Sequence, residues 1–198
     1  YMKGKIAQRA YTDKVEQILR LAMKEFYKLT GREYDLISTY KMDGAEYAIV
    51  GMGSMIETAE AAADYLIKEK NIKVGVVHVT SFRPFPGKQI VKALTNIKGV
   101  SVLERMDNPL AESNPLTLEI KAAFIDHLQE HKTKNTKPPK IYSGSAGLGS
   151  RDVRPDDIVA VVENMINDKK SFFAIGIDHD LGLPTGDLVD IRPEGTFS

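Results

Sequence analysis

Apolar positions along this chain repeat with two periods, and the switches between them mark its elements. Val15, Ile18, Leu19, Ala22, Phe26 and Leu29 recur at steps of three and four, the one-sided stripe of an amphipathic helix. The stripe predicts a helix from about Thr12 to Thr30, with Thr12 or Asp13 capping its first N–H groups and Gly31 as a left-handed stop. Tyr34 to Tyr40 reads as a short strand or an extended connector, and Met42-Asp43-Gly44 as a turn. Beyond it, short apolar runs alternate with helical stripes. Glu46–Val50, Val74–Val79, Val100–Glu104, Lys140–Ser143 and Phe172–Ile177 read as strands. Helices are predicted from about Met55 to Lys68, Lys88 to Thr95, Pro115 to Leu128 and Pro155 to Ile166. Pro115 fits a first helical turn, and Asp156 and Asp157 suit the positive end of the helix they open.

Strands with near-continuous apolar runs, joined by helices, require a sheet covered on both faces. The fold expected is α/β: a mainly parallel five-stranded sheet with helices on both faces, right-handed crossovers and the N-terminal helix packed on it as an extra layer. Residues 1–41 are expected to form that helix and its connector, residues 42–178 the α/β domain, and residues 179–198, rich in Gly, Pro and Asp, a linker to a following domain. Residues 129–140 (QEHKTKNTKPPK) read as a basic, solvated link.

Composition narrows the function. The chain has 198 residues, 27 basic and 27 acidic side chains and no cysteine. That length predicts one domain. Balanced charge argues against nucleic acid, which is bound through a surplus of Lys and Arg. Without Cys the chain can form no disulfide, thiolate zinc site, Cys nucleophile or cysteine-ligated cluster. No run reaches the roughly 18 apolar residues of a membrane span, and the start lacks a signal peptide's apolar stretch. No membrane role is expected, and the chain fits the cytoplasm. It starts at Tyr1 and stops at Arg192-Pro193-Glu194-Gly195-Thr196-Phe197-Ser198, which reads as a piece of a longer protein. Such a piece should carry an apolar face that its neighbours would cover.

Three loops at predicted strand ends hold candidate chemistry. Gly51-x-Gly53-Ser54 allows a tight turn before a helix, but Ile56 stands where a dinucleotide fingerprint needs its third Gly. The plainer reading is a close approach of helix and sheet. Gly144 to Arg151, with Gly147, Ser150, Arg151 and nearby Arg154, precedes a helix and could hold a phosphate or carboxylate. It is not a Walker loop; the alternative is a surface connection whose arginines pair with Asp152, Asp156 or Asp157. Arg83, on the stiff loop Ser81-Phe82-Arg83-Pro84-Phe85-Pro86, could bind an anion through two bonds. Otherwise Phe82 and Phe85 plug the core and Arg83 makes an internal salt bridge. His127 and His131 have metal-like spacing on a solvated helix end, and Asp178-His179-Asp180 lies in the expected linker with no nucleophile in view. No catalytic residue and no metal site is assigned.

Three stretches carry a resemblance: AIVGMGSMIETAEAAADYL, IKVGVVHVTSFRPFPGKQIVKAL and VSVLERMDNPLA. Together they resemble the transketolase C-terminal-like domain of thiamine-diphosphate enzymes. GLGSRDVRP and RPEGTFS narrow this to core domain II of pyruvate:ferredoxin (flavodoxin) oxidoreductase and related 2-oxoacid:acceptor oxidoreductases. The segment after VLERMDNPLAESNPLTLEI departs from the Gly-rich stretch of the typical pyruvate enzymes. The resemblance implies a parent enzyme that decarboxylates a 2-oxoacid on thiamine diphosphate with magnesium. It passes electrons through iron–sulfur clusters to ferredoxin or flavodoxin, and the acyl group to coenzyme A. Its cofactor-binding motifs belong to other domains, so this segment is expected to bind no cofactor. It would be a non-catalytic structural and interface domain, partnered by the other domains or subunits of the parent. Arg83, Gly147, Ser150, Arg151 and Arg154 would line the active-site entrance or touch coenzyme A. The alternatives are a stand-alone coenzyme A- or nucleotide-binding α/β module, or the equivalent domain of a transketolase or 2-oxoacid dehydrogenase.

Overall fold

A computed structural model describes residues 1–131 and 138–184, with the side chain of His131 outside the description. The elements are α1 (Met2–Ala7), α2 (Arg9–Thr12), α3 (Val15–Thr30), β1 (Ile37–Tyr40), β2 (Tyr47–Gly51) and α4 (Met55–Lys70). They continue with β3 (Val74–Val79), α5 (Gly87–Leu94), β4 (Gly99–Glu104), α6 (Pro115–His131), β5 (Lys140–Ser145), α7 (Pro155–Ile166) and β6 (Phe172–Ala174). Gly31 and Asn71 stop α3 and α4 in the left-handed region, at φ of 72° and 55°. None of the described helices is long and apolar enough to cross a membrane.

The sheet has six strands in the order β1-β3-β2-β4-β5-β6. Five are mutually parallel, and β1 runs antiparallel to β3. The expected count of five is therefore one short. The stretch read as a short strand or an extended connector supplies β1, which closes the edge beside β3 with Ile37 opposite Val79. Within the stretch expected to be a linker, residues 179–184 are described and touch the domain: Leu183 is buried, and its N–H donates to the Ala174 carbonyl at 3.0 Å. Residues 185–198, including RPEGTFS, lie outside the described residues.

Side chains alternate across the sheet, and both faces are buried. Ile49, Val74, Val76, Leu103, Tyr142 and Phe173 face α4 and α7. Ala48, Val50, Val77, Val79, Val100 and Val102 face α5 and α6. Ala59, Ala62 and Ala63 of α4 are fully buried, and their small size lets α4 lie close to the strands. Gly144 of β5 serves the same end. A methyl group there would sit 2.6 Å from Phe173 and 2.7 Å from Leu103.

The crossovers do not share one hand. The connection from β2 to β3 runs one way along the sheet with α4 on one face; those from β3 to β4 and β4 to β5 run the other way with α5 and α6 on the opposite face. Reversing both direction and face keeps the hand. The connection from β5 to β6 keeps running the second way, yet α7 lies with α4, so its hand is opposite. Right-handed crossovers are near-universal, which makes β5–α7–β6 the left-handed exception. The reason lies on β5. Its α6-side positions include Ser143 and Ser145, both buried, whereas its α4-side positions are Tyr142, Gly144 and Ala146. Only the latter face receives the apolar stripe Ile158, Val161, Val162 and Met165.

The expectation that the N-terminal helix packs on the sheet is not met. None of α1, α2 and α3 buries a residue. The helix begins at Val15 with no side-chain cap, not at Thr12, because α1 and α2 precede it as separate short turns. Its tie to the domain is polar: Arg20 pairs with Asp35 at 2.5 Å, and Gln89 donates to Asp35 at 3.4 Å.

A buried carboxylate joins sheet to helix on the other side. Glu104, the last residue of β4, accepts the N–H of Leu116 at 2.6 Å and the N–H and hydroxyl of Thr117 at 3.1 and 2.9 Å. These are free N–H groups of the first turn of α6, where the helix dipole also favours an anion. Glu104→Gln should lower unfolding free energy by about 1–3 kcal/mol, since an amide offers one acceptor to three donors; urea unfolding measures it, and an unchanged midpoint would refute the role. Gly144→Ala should cost about 1–3 kcal/mol by overpacking against Phe173, read in the same assay.

Candidate functional site

The parallel strands end their C-terminal sides on one edge, where open α/β sheets place ligands. Among the described residues five segments leave it, after β2, β3, β4, β5 and β6. The first is a packing turn. A Cβ on Gly51 would meet Ile56 Cδ1 at 2.8 Å, so the glycine lets α4 seat its first turn on the strand, which is the plainer of the two readings of that motif.

Arg83 leaves β3 and turns onto its own domain. Its guanidinium lies 4.3 Å from the centre of the Phe82 ring, donates to the Phe82 carbonyl at 2.8 Å and pairs with Glu119 of α6 at 2.5 Å. Phe82 and Phe85 contact edge-to-face at 6.2 Å and pack against the α5–α6 core. The internal salt bridge named as the alternative is thus formed. About three strand spacings, roughly 14 Å, separate β3 from β5, so Arg83 and the loop after β5 are not one site.

The loop after β5 gathers the remaining candidates. Gly147 is buried under Arg105: a Cβ there would stand 2.9 Å from Arg105 Nε. Arg105, the first residue past β4, was not among the sequence candidates; its only signal is a charge directly after an apolar strand. Ser150 is exposed, with a left-handed φ of 62°. Arg151 lies over Gly176, whose absent Cβ would be 2.9 Å from its Nε. Arg154 donates through Nη2 to the buried Asp156 at 2.9 Å, and its backbone N–H donates to Asp157 Oδ2 at 2.9 Å, which ties the N-cap residue of α7 to its first turn. Arg151, Arg154, Gly176 and residues 177–179 and 182–184 line a cleft of about 500 Å³.

Its electrostatics do not suit a simple anion. Asp156 and Asp157 lie directly behind the two arginines, and Asp178 lines the cleft. His179 Nδ1 accepts the Leu181 N–H at 3.1 Å and helps close a turn, so the Asp178-His179-Asp180 run has a structural use. Asp157 is 1 % exposed, and its Oδ1 has no hydrogen-bond partner among the described residues. Burial pushes its carboxyl above the ordinary value of 3.8, and the Arg154 N–H pulls part of the way back.

Sequence reasoning also missed the polar cluster around Glu104. Thr117 and Ser143 hydroxyls meet at 3.2 Å, and Asn114 donates to Ser145 at 3.2 Å and to the Met106 carbonyl at 3.1 Å. A glutamate ending an apolar strand was its one visible sign. As for metals, no group of three or more His, Cys, Asp or Glu suited to one occurs among the described residues. The side chain of His131, half of the candidate histidine pair, lies outside them.

Comparison with known proteins bears on this edge. The profile of the family described as pyruvate:ferredoxin oxidoreductase core domain II matches residues 45–158, from the approach to β2 into the first turn of α7. The chain belongs to this family. Core domain II has the transketolase C-terminal-like fold, as expected from the sequence. The chain is 31% identical over 202 residues to pyruvate:ferredoxin oxidoreductase of Moorella thermoacetica, covering 100% of this chain and 16% of that protein. It is 33% identical over 177 residues to pyruvate dehydrogenase [NADP(+)] of Cryptosporidium parvum, covering 88% and 9%. It is 29% identical over 180 residues to pyruvate synthase subunit PorA of Methanothermobacter thermautotrophicus, covering 91% and 43%. This core domain II therefore spans about one-sixth of the first of these relatives and under half of the others.

The pKa of Asp157 yields a test. Its folded value exceeds its unfolded one, so the folded state holds more protons between them, and its contribution to stability is lost as pH rises through that window. Asp157→Asn removes the titration. The stability difference, wild type minus variant, should fall in urea titrations as pH rises above the unfolded aspartate value of about 3.9. A difference that grows with pH would mean that Arg151 and Arg154 stabilise the anion more than burial opposes it.

Proposed function

We propose that this chain is the structural and interface domain of a cytoplasmic, thiamine-diphosphate-dependent pyruvate:ferredoxin or flavodoxin oxidoreductase that makes acetyl-coenzyme A by oxidative decarboxylation. The carrying observation is the core domain II match over residues 45–158, in a chain that spans about one-sixth of a relative named for that reaction.

The residues themselves support a positioning role. Arg83 and Arg154 are engaged by Glu119 and Asp156. The strand-end loops are held by glycine packing, by the Glu104 cap and by the Arg154 N–H bond to Asp157 at the start of α7. Such a unit presents fixed loops to a neighbouring catalytic domain without supplying a nucleophile or a base. The chain's donor set does not fit the iron–sulfur clusters of that enzyme, since it has no cysteine thiolate to offer. Thiamine diphosphate, magnesium and the clusters accordingly belong to other parts of the parent in this proposal, and no reaction step is assigned to a residue of this chain. Contact with the parent's other domains or subunits, and through them with ferredoxin or flavodoxin, completes it.

The isolated chain, supplied with pyruvate, thiamine diphosphate, magnesium and coenzyme A, should reduce no viologen dye, while the complete enzyme does. Turnover by the isolated chain would overturn the proposal. Calorimetry with coenzyme A should show no heat in the micromolar to millimolar range. Binding that Arg151→Ala and Arg154→Ala abolish would instead favour a coenzyme A-binding module.

A further inference from the structure

The apolar surface of this protein is unevenly distributed. Of its large apolar side chains that are exposed among the described residues, eleven lie between Tyr1 and Tyr34 and eight in all the rest. Val15, Ile18, Phe26 and Leu29 form one stripe of α3, with Ile18 61 % and Leu29 84 % exposed; Leu21, 62 % exposed, widens it. Single exposed apolar residues are ordinary, but a contiguous stripe along a helix marks an interaction surface. The helix also needs a partner for its own stability. Sixteen residues are marginal as an isolated helix in water, because amphipathic helices owe most of their stability to packing of the apolar face, and α3 buries none of its residues.

Charge describes the partner. Residues 1–35 hold eight Lys and Arg against five Asp and Glu, in a chain that is neutral as a whole. A surface complementary to this arm is apolar at its centre and acidic at its rim. Length says where that surface is. In the relative that matches along 100% of this chain, the match accounts for 16% of the protein, and in PorA for 43%. In each, the greater part of the same polypeptide lies outside the matched stretch.

We infer that the exposed stripe of α3 docks into an apolar, acid-rimmed surface of the same, longer polypeptide, so that the N-terminal arm clamps this domain to another part of its parent. This rests on the reading of the chain as an interface domain. The Arg20–Asp35 pair and the Gln89–Asp35 hydrogen bond hold the arm's inner side to the domain and leave the stripe facing outward.

The test uses the polypeptide encoded by the complete reading frame, with a photo-crosslinking amino acid placed singly at Ile18 or Leu29. Crosslinked peptides are mapped by mass spectrometry. The expected result is an intrachain link from either position to a segment outside residues 1–198 that carries both apolar and acidic side chains. Links between two copies, links only to residues 36–184, no protein link at all, or a reading frame confined to these residues would each overturn the proposal. As a second measurement, Ile18→Lys with Leu29→Lys should speed amide exchange across Val15–Thr30 at least about tenfold; unchanged exchange would overturn it as well. Neither readout depends on turnover. Dye reduction by the same preparation therefore reports separately: an active enzyme with an unlinked arm sinks the docking alone, and an inactive one with a linked arm sinks the enzymatic reading alone.

Discussion

A parallel sheet buried on both faces sets the terms for everything else in this protein. β2 and β4 lie in its middle, and Ala48, Ile49, Val50, Val100 and Val102 expose nothing. Each face must be covered by helices, and every helix must come close enough to exclude water. That requirement accounts for the alanines of α4 and for Gly144, which leaves room for Phe173. It also accounts for the hand of the last crossover. The apolar stripe of α7 goes to the face where β5 offers Tyr142, Gly144 and Ala146, and not to the one where it offers Ser143 and Ser145.

Most polar exceptions in this core lie at the edge where the strands end; Ser101, in the middle of β4, and Asn164, late in α7, do not. Glu104 spends its carboxylate on the first turn of α6, and Thr117, Ser143, Asn114 and Ser145 are bound around it. A charged group held by three donors at the tip of a strand fixes the angle at which the helix leaves. The loops are treated alike: Arg83 is held by Glu119, Arg154 by Asp156, and Arg105 and Arg151 lie over glycines. An edge that houses ligands in other α/β proteins is here largely occupied with holding itself still. That is in keeping with the positioning role proposed above.

The candidate site was only partly legible in the sequence. Arg83, Gly147, Ser150, Arg151 and Arg154 were visible because arginines and glycines at strand ends are conspicuous. What they touch was not visible. Arg83 meets a residue 36 positions away, and no local pattern reports such a distance. Arg105 and Glu104 were missed because each looks like the polar residue that ends a buried strand, and only the neighbouring strand and helix give them partners.

By itself the sequence determined the alternation of strand and helix, the helix stop at Gly31, and the family likeness. These rest on local periodicity, on φ preferences and on short motifs, all carried by neighbouring residues. Tertiary structure decided the sixth strand, since four residues, Ile37–Tyr40, form a strand only when an edge is there to pair with. It decided the hand of the β5–α7–β6 crossover, because that depends on which sheet face is apolar where α7 arrives. And it decided that the N-terminal helix, so plainly amphipathic in sequence, buries none of its residues among the described ones, although Phe26 of its stripe meets the Tyr34 ring at 5.7 Å. Periodicity specifies that a face must be buried; only the arrangement of the other elements determines whether the surface that buries it is present.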